Sequence, residues 1–412
     1  MIDALSFRSK LAAAALALAC LLPSPAAFAQ AAAGGNTVRP EVGKPLQAAE
    51  ALYKSKKHKE ALAKVAEADA VANKTPHENY VILRTKASIA AAAGDNETAA
   101  KSFEAALALG RSAPADQQKM IQAIAGLYYN AKDYAKAAQW ASRYFKEGGT
   151  DPATRTLLVQ SYFLLNDCAS VSKLVGDPSA EGSRKPSEQE LQILANCFLK
   201  QKDSSGYVAA IEKLVAYYPK KEYWTDLLNR VQKKSGFSDR LSLDVFRLKL
   251  ATGNVTTASD YMEMTQLAIQ GGFPAEAKVI LDKGYAANAL GTGKDAERHK
   301  RLRDLTTKTL DEYTKGRAQA EKEAQADKAG NGLVTIGYNY VAEGAPQKGL
   351  AYMEEGIKKG GLKRPEDAKL LLGVAQLQSG SRARGLQTLK TVHGSDGPAD
   401  LARLWILLGQ RS

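Results

Sequence analysis

The stretch LYYNAKDYAKAAQWASRYF, residues 127–145, joins two apolar-periodic segments through a short polar break. Before and into this stretch, apolar residues recur at helical spacing, at Met120, Ile121, Ile124, Ala125 and Tyr128. After the break, a second set follows at Tyr134, Ala137, Ala138, Ala141 and Tyr144. Lys132-Asp133 forms the break, and Gly148-Gly149 ends the second set. The pattern predicts two amphipathic helices joined by a tight turn.

The same pattern recurs along the chain. With Ala137 taken as the residue that opens the second helix, equivalent positions follow at intervals of 38, 38, 70, 70, 72 and 36 residues. These positions are Ala61, Ala99, Ala137, Tyr207, Ala277, Gly349 and Gly385. The longer intervals have room for two units of about 35 residues, so we expect about ten helical hairpins between residues 43 and 397.

This hairpin resembles the tetratricopeptide repeat (TPR), a unit of about 34 residues with small residues in its first helix and Ala early in its second. Ala125 and Ala137 occupy those two positions in the opening stretch, and Gly337 and Gly373 occupy the first of them in later units. The resemblance implies an all-α fold, a right-handed superhelical solenoid of about ten stacked TPR-like hairpins with a C-terminal capping helix.

The repeat pattern also predicts how the chain is divided. Residues 30–42 are expected to be a flexible lead-in, and repeats one to seven are expected at 43–290. Residues 291–329 are charged and contain few apolar side chains, which predicts a degenerate helical repeat with little burial. Repeats nine and ten are expected at 330–397, and the amphipathic segment 398–412 is expected to be the capping helix.

Residues 1–29 have the parts of a secretory signal peptide. Arg8 and Lys10 give a positive start, residues 11–22 are an apolar run too short to span a bilayer, and Ala27-Phe28-Ala29 matches a cleavage site. We therefore expect export to a bacterial periplasm. No other stretch is apolar enough to cross a membrane, so no transmembrane segment is expected in the mature chain.

Lipoprotein anchoring at Cys20 is the alternative to simple cleavage. It is disfavoured because Ala17 stands where Leu is usual in a lipidation motif, and apolar Leu21-Leu22 follow the cysteine. Removal of the signal peptide would leave two cysteines, Cys168 and Cys197.

The repeat pattern places these two cysteines on one edge of the predicted solenoid. Cys168 lies in the turn of the fourth hairpin, and Cys197 lies near the end of the first helix of the fifth. An oxidising compartment permits a disulfide between them. Two buried free thiols are the alternative, because the sequence does not determine the distance between the Cα atoms.

The formal net charge of +13 is spread over several basic clusters, including RHKRLR at 298–303. Nucleic acid is not an expected partner of an exported protein. The cluster predicts either an ordinary solvated surface or a basic patch that contacts an anionic envelope component, and its residues are Arg298, Lys300, Arg301 and Arg303. In a third possibility, the charged unit at 294–329 docks the chain into an envelope machine.

Catalytic and metal-binding patterns are missing from the sequence. None of the four histidines, His58, His77, His299 and His393, has a second ligand three or four residues away, so each is expected on the surface. The stretch ALGTGKD at 289–295 lacks the first Gly and the following Ser or Thr of a phosphate-binding loop. We therefore expect no enzyme, no catalytic residue, no metal and no cofactor.

The TPR resemblance implies a concave groove, lined by the first helix of each hairpin, that holds a peptide or a partner helix. The groove positions in this sequence are Arg84, Gln122, Tyr129, Gln192, Asn196, Gln266 and Tyr338. The leading expectation is a non-enzymatic periplasmic scaffold that binds a protein or peptide partner there, in envelope assembly, secretion or cell-wall processes. The alternative is a basic surface-binding protein that docks anionic envelope polymers or lipid headgroups.

Overall fold

The computed structural model of the chain describes residues 37–176 and 185–410. These residues form twenty α-helices and one 3₁₀ turn, Asp239–Leu241, and they include no strand. The predicted all-α solenoid of helical hairpins is confirmed. The signal peptide and Cys20 were predicted in a segment that lies outside the described residues.

The chain divides near Ala210 into two compact units. The first unit contains four hairpins and the first helix of a fifth. Its helices are α1 (Pro40–Lys54), α2 (His58–Asp69), α3 (Pro76–Ala92), α4 (Asn96–Ala108), α5 (Pro114–Asn130), α6 (Tyr134–Lys146), α7 (Pro152–Leu164), α8 (Cys168–Gly176) and α9 (Glu188–Lys200). The dividing point falls within α10 (Ser204–Tyr217), the second helix of the fifth hairpin.

The second unit contains four further hairpins, one long single helix and a last helix. They are α11 (Lys221–Gln232), α12 (Ser242–Ala251), α13 (Ala258–Gln270), α14 (Pro274–Ala286), α15 (Ala296–Ala326), α16 (Asn331–Ala342), α17 (Pro346–Lys359), α18 (Pro365–Gln378), α19 (Arg382–Lys390) and α20 (Pro398–Gly409). No described helix is both long and apolar enough to span a bilayer.

The turn of the opening stretch shows how a hairpin is built. Lys132 takes a left-handed conformation with φ of 64°, and the backbone N–H of Asp133 donates to the carbonyl of Tyr128 at 2.9 Å, which closes α5. The carboxylate of Asp133 then accepts from the backbone N–H of Lys136 at 3.1 Å and caps α6. One helix therefore ends and the next begins within a few residues.

Small residues let the two helices of a hairpin approach closely. A Cβ atom added to Gly337 would lie 2.5 Å from the carbonyl oxygen of Gly349, and one added to Gly349 would lie 2.5 Å from that of Gly337. Ala125 and Ala137, at the same positions of the third hairpin, are completely buried. The small-residue positions of the repeat pattern are thus the crossing points of paired helices.

The charged segment differs from the predicted repeat. It forms one helix of 31 residues, α15, in place of a hairpin. Gly316 is the only glycine within the helix and no proline interrupts it, so nothing ends the helix at mid-length. Four of its side chains are buried, those of His299, Leu302, Thr306 and Ala324. The few apolar residues cannot support a second helix packed against the first.

The end of the predicted flexible lead-in, from Val38 to Val42, has a defined structure. Helix α1 begins at Pro40, so residues 40–42 belong to the first hairpin, and Val42 is completely buried. Arg39 is held to Glu78 of α3 by a bidentate ion pair in which both nitrogen–oxygen distances are 2.9 Å. A proline at the first helical position and this ion pair start the helix earlier than the sequence pattern indicated.

The helices of the second unit form a closed circuit. Helices α14, α16, α18 and α20 pack one against the next, and α20 also contacts α12, which leads back through α13 to α14. Arg240, just before α12, donates to Asp367 at 2.8 and 3.0 Å and to Asp396 at 2.5 Å. Arg240 therefore ties the segment before α12 to Asp367 on α18 and to Asp396, which lies just before α20.

Candidate functional site

Five of the predicted groove residues lie on first helices of the first unit. Arg84 is on α3, Gln122 and Tyr129 are on α5, and Gln192 and Asn196 are on α9. All five are half-buried, so each still presents part of its side chain to solvent. The arrangement places polar and aromatic groups on one set of helices that follow one another along the unit.

Gln122 joins two hairpins. Its Nε2 donates to the hydroxyl of Thr154 on α7 at 2.9 Å, and that hydroxyl in turn donates to Asp151 at 2.8 Å. This contact leaves the amide oxygen of Gln122 to accept from another group. Further along, Nδ2 of Asn196 donates to the backbone carbonyl of Gln192 at 2.8 Å.

Tyr129 and Arg84 are each packed against a tyrosine ring. Tyr129 contacts Tyr134 edge-to-face, with 5.6 Å between ring centroids, and burial raises the pKa of Tyr129. The guanidinium of Arg84 lies 5.5 Å from the ring centroid of Tyr80 and donates to its hydroxyl at 3.3 Å. Both side chains are thereby oriented, and the Tyr129 phenol stays neutral at physiological pH.

Sequence reasoning missed Gln160, the most unusual polar residue on these helices. Its side chain on α7 is 1% exposed, and neither Oε1 nor Nε2 has a hydrogen-bond partner in the part of the chain that the structure describes. Gln160 lies six residues before the left-handed turn residue Asn166, as Asn196 lies six before Lys202. The repeat pattern that selected Asn196 could therefore have found it.

Ser88 stands at the equivalent position of the second hairpin, six residues before Gly94. It is 8% exposed, and its hydroxyl also has no partner among the described residues. Buried polar groups in folded proteins are nearly always hydrogen-bonded. Gln160 and Ser88 thus share the position that Asn196 holds in the fifth hairpin, and both are exceptions to this rule within the described residues.

The prediction for Tyr338 is wrong. This residue of α16 is 2% exposed, and its hydroxyl donates to Oε1 of Glu276 at 3.1 Å. Its ring packs edge-to-face on Phe273, with 5.2 Å between centroids. The closed circuit of helices covers the face on which Tyr338 was expected to be exposed.

A buried ion-pair network occupies that face. Arg247 donates to both carboxylate oxygens of Glu276, at 2.8 and 2.6 Å, and to Asp244 at 2.7 Å. Its guanidinium lies 4.9 Å from the Phe273 ring centroid and 4.6 Å from that of Tyr338. Burial raises the pKa of both Tyr338 and Asp244. These groups satisfy one another, so they have a structural role.

The remaining predicted residue of the groove, Gln266 on α13, is exposed. It lies in the second unit, where the equivalent Tyr338 is buried, whereas the five residues on α3, α5 and α9 belong to the first unit.

The structure joins Cys168 and Cys197 in a disulfide, with 5.3 Å between their Cα atoms. The bond connects the start of α8 to the end of α9. Cys168 is 5% exposed and Cys197 is completely buried, so the bond lies inside the edge formed by the fourth and fifth hairpins.

The predicted basic patch lies on the exposed side of α15. Arg298, Lys300, Arg301 and Arg303 are all exposed, and the guanidinium of Arg303 lies 4.9 Å from the ring centroid of Tyr285. The expectation for His299, between them, is wrong. This histidine is 3% exposed, because the helix turns it inward, and its Nδ1 accepts from the backbone N–H of Gly291 at 3.1 Å.

Within residues 37–176 and 185–410, no group of three or more His, Cys, Asp and Glu side chains could hold a metal ion. The acidic side chains around Arg240 and Arg247 form ion pairs with these arginines.

Comparisons with known proteins find structural likenesses only. No protein-family model and no curated protein matches the chain. Among solved structures, Naa15/Naa10 bound to HypK-THB is 15% identical over 88% of this chain, with a TM-score of 0.29. The chain spans 64% of that protein's length.

Two other solved structures match most of their own length. Yeast Tom70 is 13% identical over 90% of this chain and 94% of its own, with a TM-score of 0.26. The TPR domain of P58(IPK) is 13% identical over 90% of this chain and 99% of its own, with a TM-score of 0.23. Scores this low carry no functional argument.

Proposed function

We propose that this chain is a non-enzymatic interaction scaffold. It binds an extended segment of a protein partner across the first helices α3, α5, α7 and α9. The observation that supports this most directly is that Gln122, Tyr129 and Asn196 on these helices are only half-buried, so part of each side chain is within reach of a partner.

A glutamine amide offers both a donor and an acceptor, the same pair of groups that an extended backbone presents. Gln122 and Asn196 both carry such an amide, and they lie half-buried on first helices of the same unit.

The neighbouring side chains suit the same kind of partner. Tyr129 offers apolar area with a polar hydroxyl, and the amide oxygen of Gln122 remains available after its contact with Thr154. In the second unit, Arg247, Glu276 and Tyr338 are bonded to one another. We therefore assign partner binding to residues 76–200.

The cellular setting proposed for this scaffold follows from the sequence. The expected signal peptide at 1–29 would export the chain to the periplasm, and the partner would be a component of envelope assembly, secretion or cell-wall processing.

The test places a photo-crosslinking amino acid at Tyr129 in the full chain, in cells, and compares it with one at Lys101. Lys101 lies on the second helix α4 and is 60% exposed, so it controls for chance contacts. We expect a discrete crosslinked protein at Tyr129 that is absent at Lys101. Asn196→Ala should abolish that product while the chain stays folded, because the hydrogen bond that it removes is a local one to the backbone carbonyl of Gln192. Equal capture at both positions, or capture unchanged by Asn196→Ala, would refute the proposal.

A second candidate function is binding of an anionic surface, and one observation favours it. Arg301, Lys308, Lys315 and Lys322 follow at intervals of seven residues along α15, and all four are exposed. Residues seven apart lie about 10.5 Å from each other on nearly the same side of a helix. Lys308 has a loose ion pair with Glu312 at 3.9 Å, and the other three have no partner in the described chain.

Co-sedimentation with vesicles tests this second function. The chain should pellet with phosphatidylglycerol vesicles and not with phosphatidylcholine vesicles, and binding should weaken steeply with salt because exposed charges are screened. Replacing Arg301, Lys308, Lys315 and Lys322 with Gln should abolish pelleting. Replacing Lys54, Lys57, Lys59 and Lys101, which are exposed lysines of the first unit, should not. Equal losses in the two variants would show a net-charge effect and exclude a binding surface on α15.

A further inference from the structure

A pocket of about 360 Å³ lies at the C-terminal end of the second unit. It is formed where α18 ends and α19 begins, against the last turns of α20. Its lining includes Leu377, Gln378, Arg382, Trp405, Leu408 and Gly409. The pocket is separate from the column of residues on α3–α9 and from the basic side of α15.

Glycine at two positions shapes this pocket. A Cβ atom added to Gly409 would lie 3.1 Å from Leu386 and 3.3 Å from Leu377, so only glycine lets α20 come this close to its neighbours. Gly380 turns the chain at φ of 78°, and a Cβ there would meet no atom within 4 Å. The pocket wall near Gly409 is therefore closely packed, and the space around Gly380 is open.

The polar groups of the pocket are hydrogen-bond donors. Arg382 is exposed and has no ion pair or hydrogen bond in the described chain, whereas its neighbour Arg384 pairs with Glu354 at 2.5 Å. Trp405 is 3% exposed, and its indole Nε1 has no acceptor among the described residues. A guanidinium can donate but not accept, so the exposed Arg382 calls for an acceptor that the described chain does not supply, whereas the N–H of Trp405 is enclosed.

The walls of the pocket are apolar. Leu377 and Leu408 are half-buried, and Trp405, which is 3% exposed, contributes a small part of its ring. Ligand pockets in proteins combine apolar walls with a few polar groups that orient the ligand, and a volume near 360 Å³ is at the small end of their range of about 300–1,000 Å³.

We propose that this pocket binds a small amphipathic carboxylate. The apolar body packs against Leu377, Trp405 and Leu408, and the carboxylate accepts from Arg382 at the rim. The same chemistry is offered by a free medium-chain acid and by the carboxyl terminus of a polypeptide that ends in an apolar residue.

Isothermal titration calorimetry of the full chain tests the proposal with four probes. Octanoate and octylamine have the same chain length and opposite charge, and the tripeptide Ala-Ala-Leu with a free or amidated C-terminus isolates the terminal carboxylate. We expect a carboxylate to bind and its amine or amide counterpart not to bind. Preference for octanoate identifies a free acid as the ligand class, and preference for the tripeptide acid identifies a chain terminus.

Three variants locate the contact. Arg382→Gln should weaken carboxylate binding about three- to tenfold, the range of a partly exposed charge-assisted contact. Leu377→Ala removes a half-buried apolar wall of the pocket, and it should also weaken binding, with folding checked by thermal unfolding. Arg384→Gln, which removes an equal charge on the same helix, should have no effect.

The proposal is overturned if neither carboxylate binds, or if octylamine binds as well as octanoate. It is also overturned if Arg384→Gln weakens binding as much as Arg382→Gln, because that result would reflect general attraction to a basic surface.

Discussion

At the scale of single residues, each hairpin turn depends on one left-handed backbone position. In eight of the nine described hairpins, the second residue after the end of the first helix has a positive φ. The backbone N–H of the residue that follows it donates back to a carbonyl of that helix. These positions are Lys56, Gly94, Lys132, Asn166, Lys202, Gly272, Gly344 and Gly380. Glycine adopts this conformation without the steric cost that a side chain brings.

Two glycine substitutions isolate that cost. A Cβ atom would meet nothing within 4 Å at Gly380, where φ is 78°, or at Gly316 in the middle of α15. Gly380→Ala should lower the free energy of unfolding by about 1 kcal/mol because of the left-handed backbone. Gly316→Ala should raise it by about 0.5–1 kcal/mol because alanine favours a helix. Urea denaturation measures both, and changes of the same sign would contradict this account of the turn.

The ion pair between Arg39 and Glu78 predicts a dependence on pH. Hydrogen bonds from the Arg39 side chain lower the pKa of Glu78 from 4.5 to about 2. A carboxyl group whose pKa is depressed in the folded state stabilises the fold above its unfolded pKa. That contribution should therefore be complete above about pH 5 and be lost as the pH falls from about 4.5 to about 2.

Glu78→Gln removes the titrating group while keeping its size. The difference in unfolding free energy between wild type and variant should be largest near pH 6 and should shrink as the pH approaches 2. Glu97→Gln is the control, because Glu97 makes an exposed pair with Lys101. A constant difference for Glu78→Gln across this range would show that the ion pair does not cause the dependence.

At the scale of elements, the disulfide fastens the fourth hairpin to the fifth. Cys168 at the start of α8 is bonded to Cys197 near the end of α9, 29 residues away. A cross-link over a loop of this length stabilises a fold by about 3–4 kcal/mol in the chain-entropy model.

Replacing both cysteines with alanine should therefore lower the unfolding free energy by about 3–4 kcal/mol. A reducing agent should lower the stability of the wild type to nearly that of the double variant, and it should leave the double variant unchanged. Denaturant titrations with and without the reductant measure this. If the wild type does not respond, the two thiols do not form a bond in solution.

At the scale of the whole chain, one kind of hairpin is used in two different ways. In the first unit, polar residues at equivalent positions, among them Gln160 and Ser88, have no partner in the described chain. In the second unit, contact between α12 and α20 closes a circuit, and Arg247, Glu276 and Tyr338 fill the corresponding face. The first unit carries the half-buried side chains to which we assign the proposed partner, and the second unit is closed by contacts between its own helices.

The ion pairs of Arg240 should hold this circuit closed. Arg240→Gln loses the contacts to Asp367 and Asp396 and should lower the unfolding free energy of the chain by about 1–2 kcal/mol. Amide hydrogen exchange should accelerate in α18 and α20 more than in α16, because Asp367 lies on α18 and Asp396 lies directly before α20. Arg384→Gln, which breaks the exposed pair with Glu354, should alter neither quantity. Unchanged exchange in α20 would mean that apolar packing alone closes the circuit.

The sequence by itself determined the helical hairpins, because helix periodicity and turn chemistry are local. Apolar spacing around Lys132-Asp133 predicts both helices and the turn, and the small residues Ala125, Ala137, Gly337 and Gly349 mark the crossing points of paired helices. It also predicts five residues of the candidate binding face, since a repeat pattern assigns equivalent positions to equivalent environments.

Only the tertiary structure decided which of those positions are exposed. Tyr338 and Asn196 stand at the same place in their hairpins, yet Tyr338 is buried because Arg247 and Glu276, which lie 91 and 62 residues earlier in the chain, pack against it. The ion pairs of Arg240 and Arg247 likewise join residues whose spacing in sequence carries no period. Burial and closure depend on contacts between distant segments, and local periodicity contains no information about them.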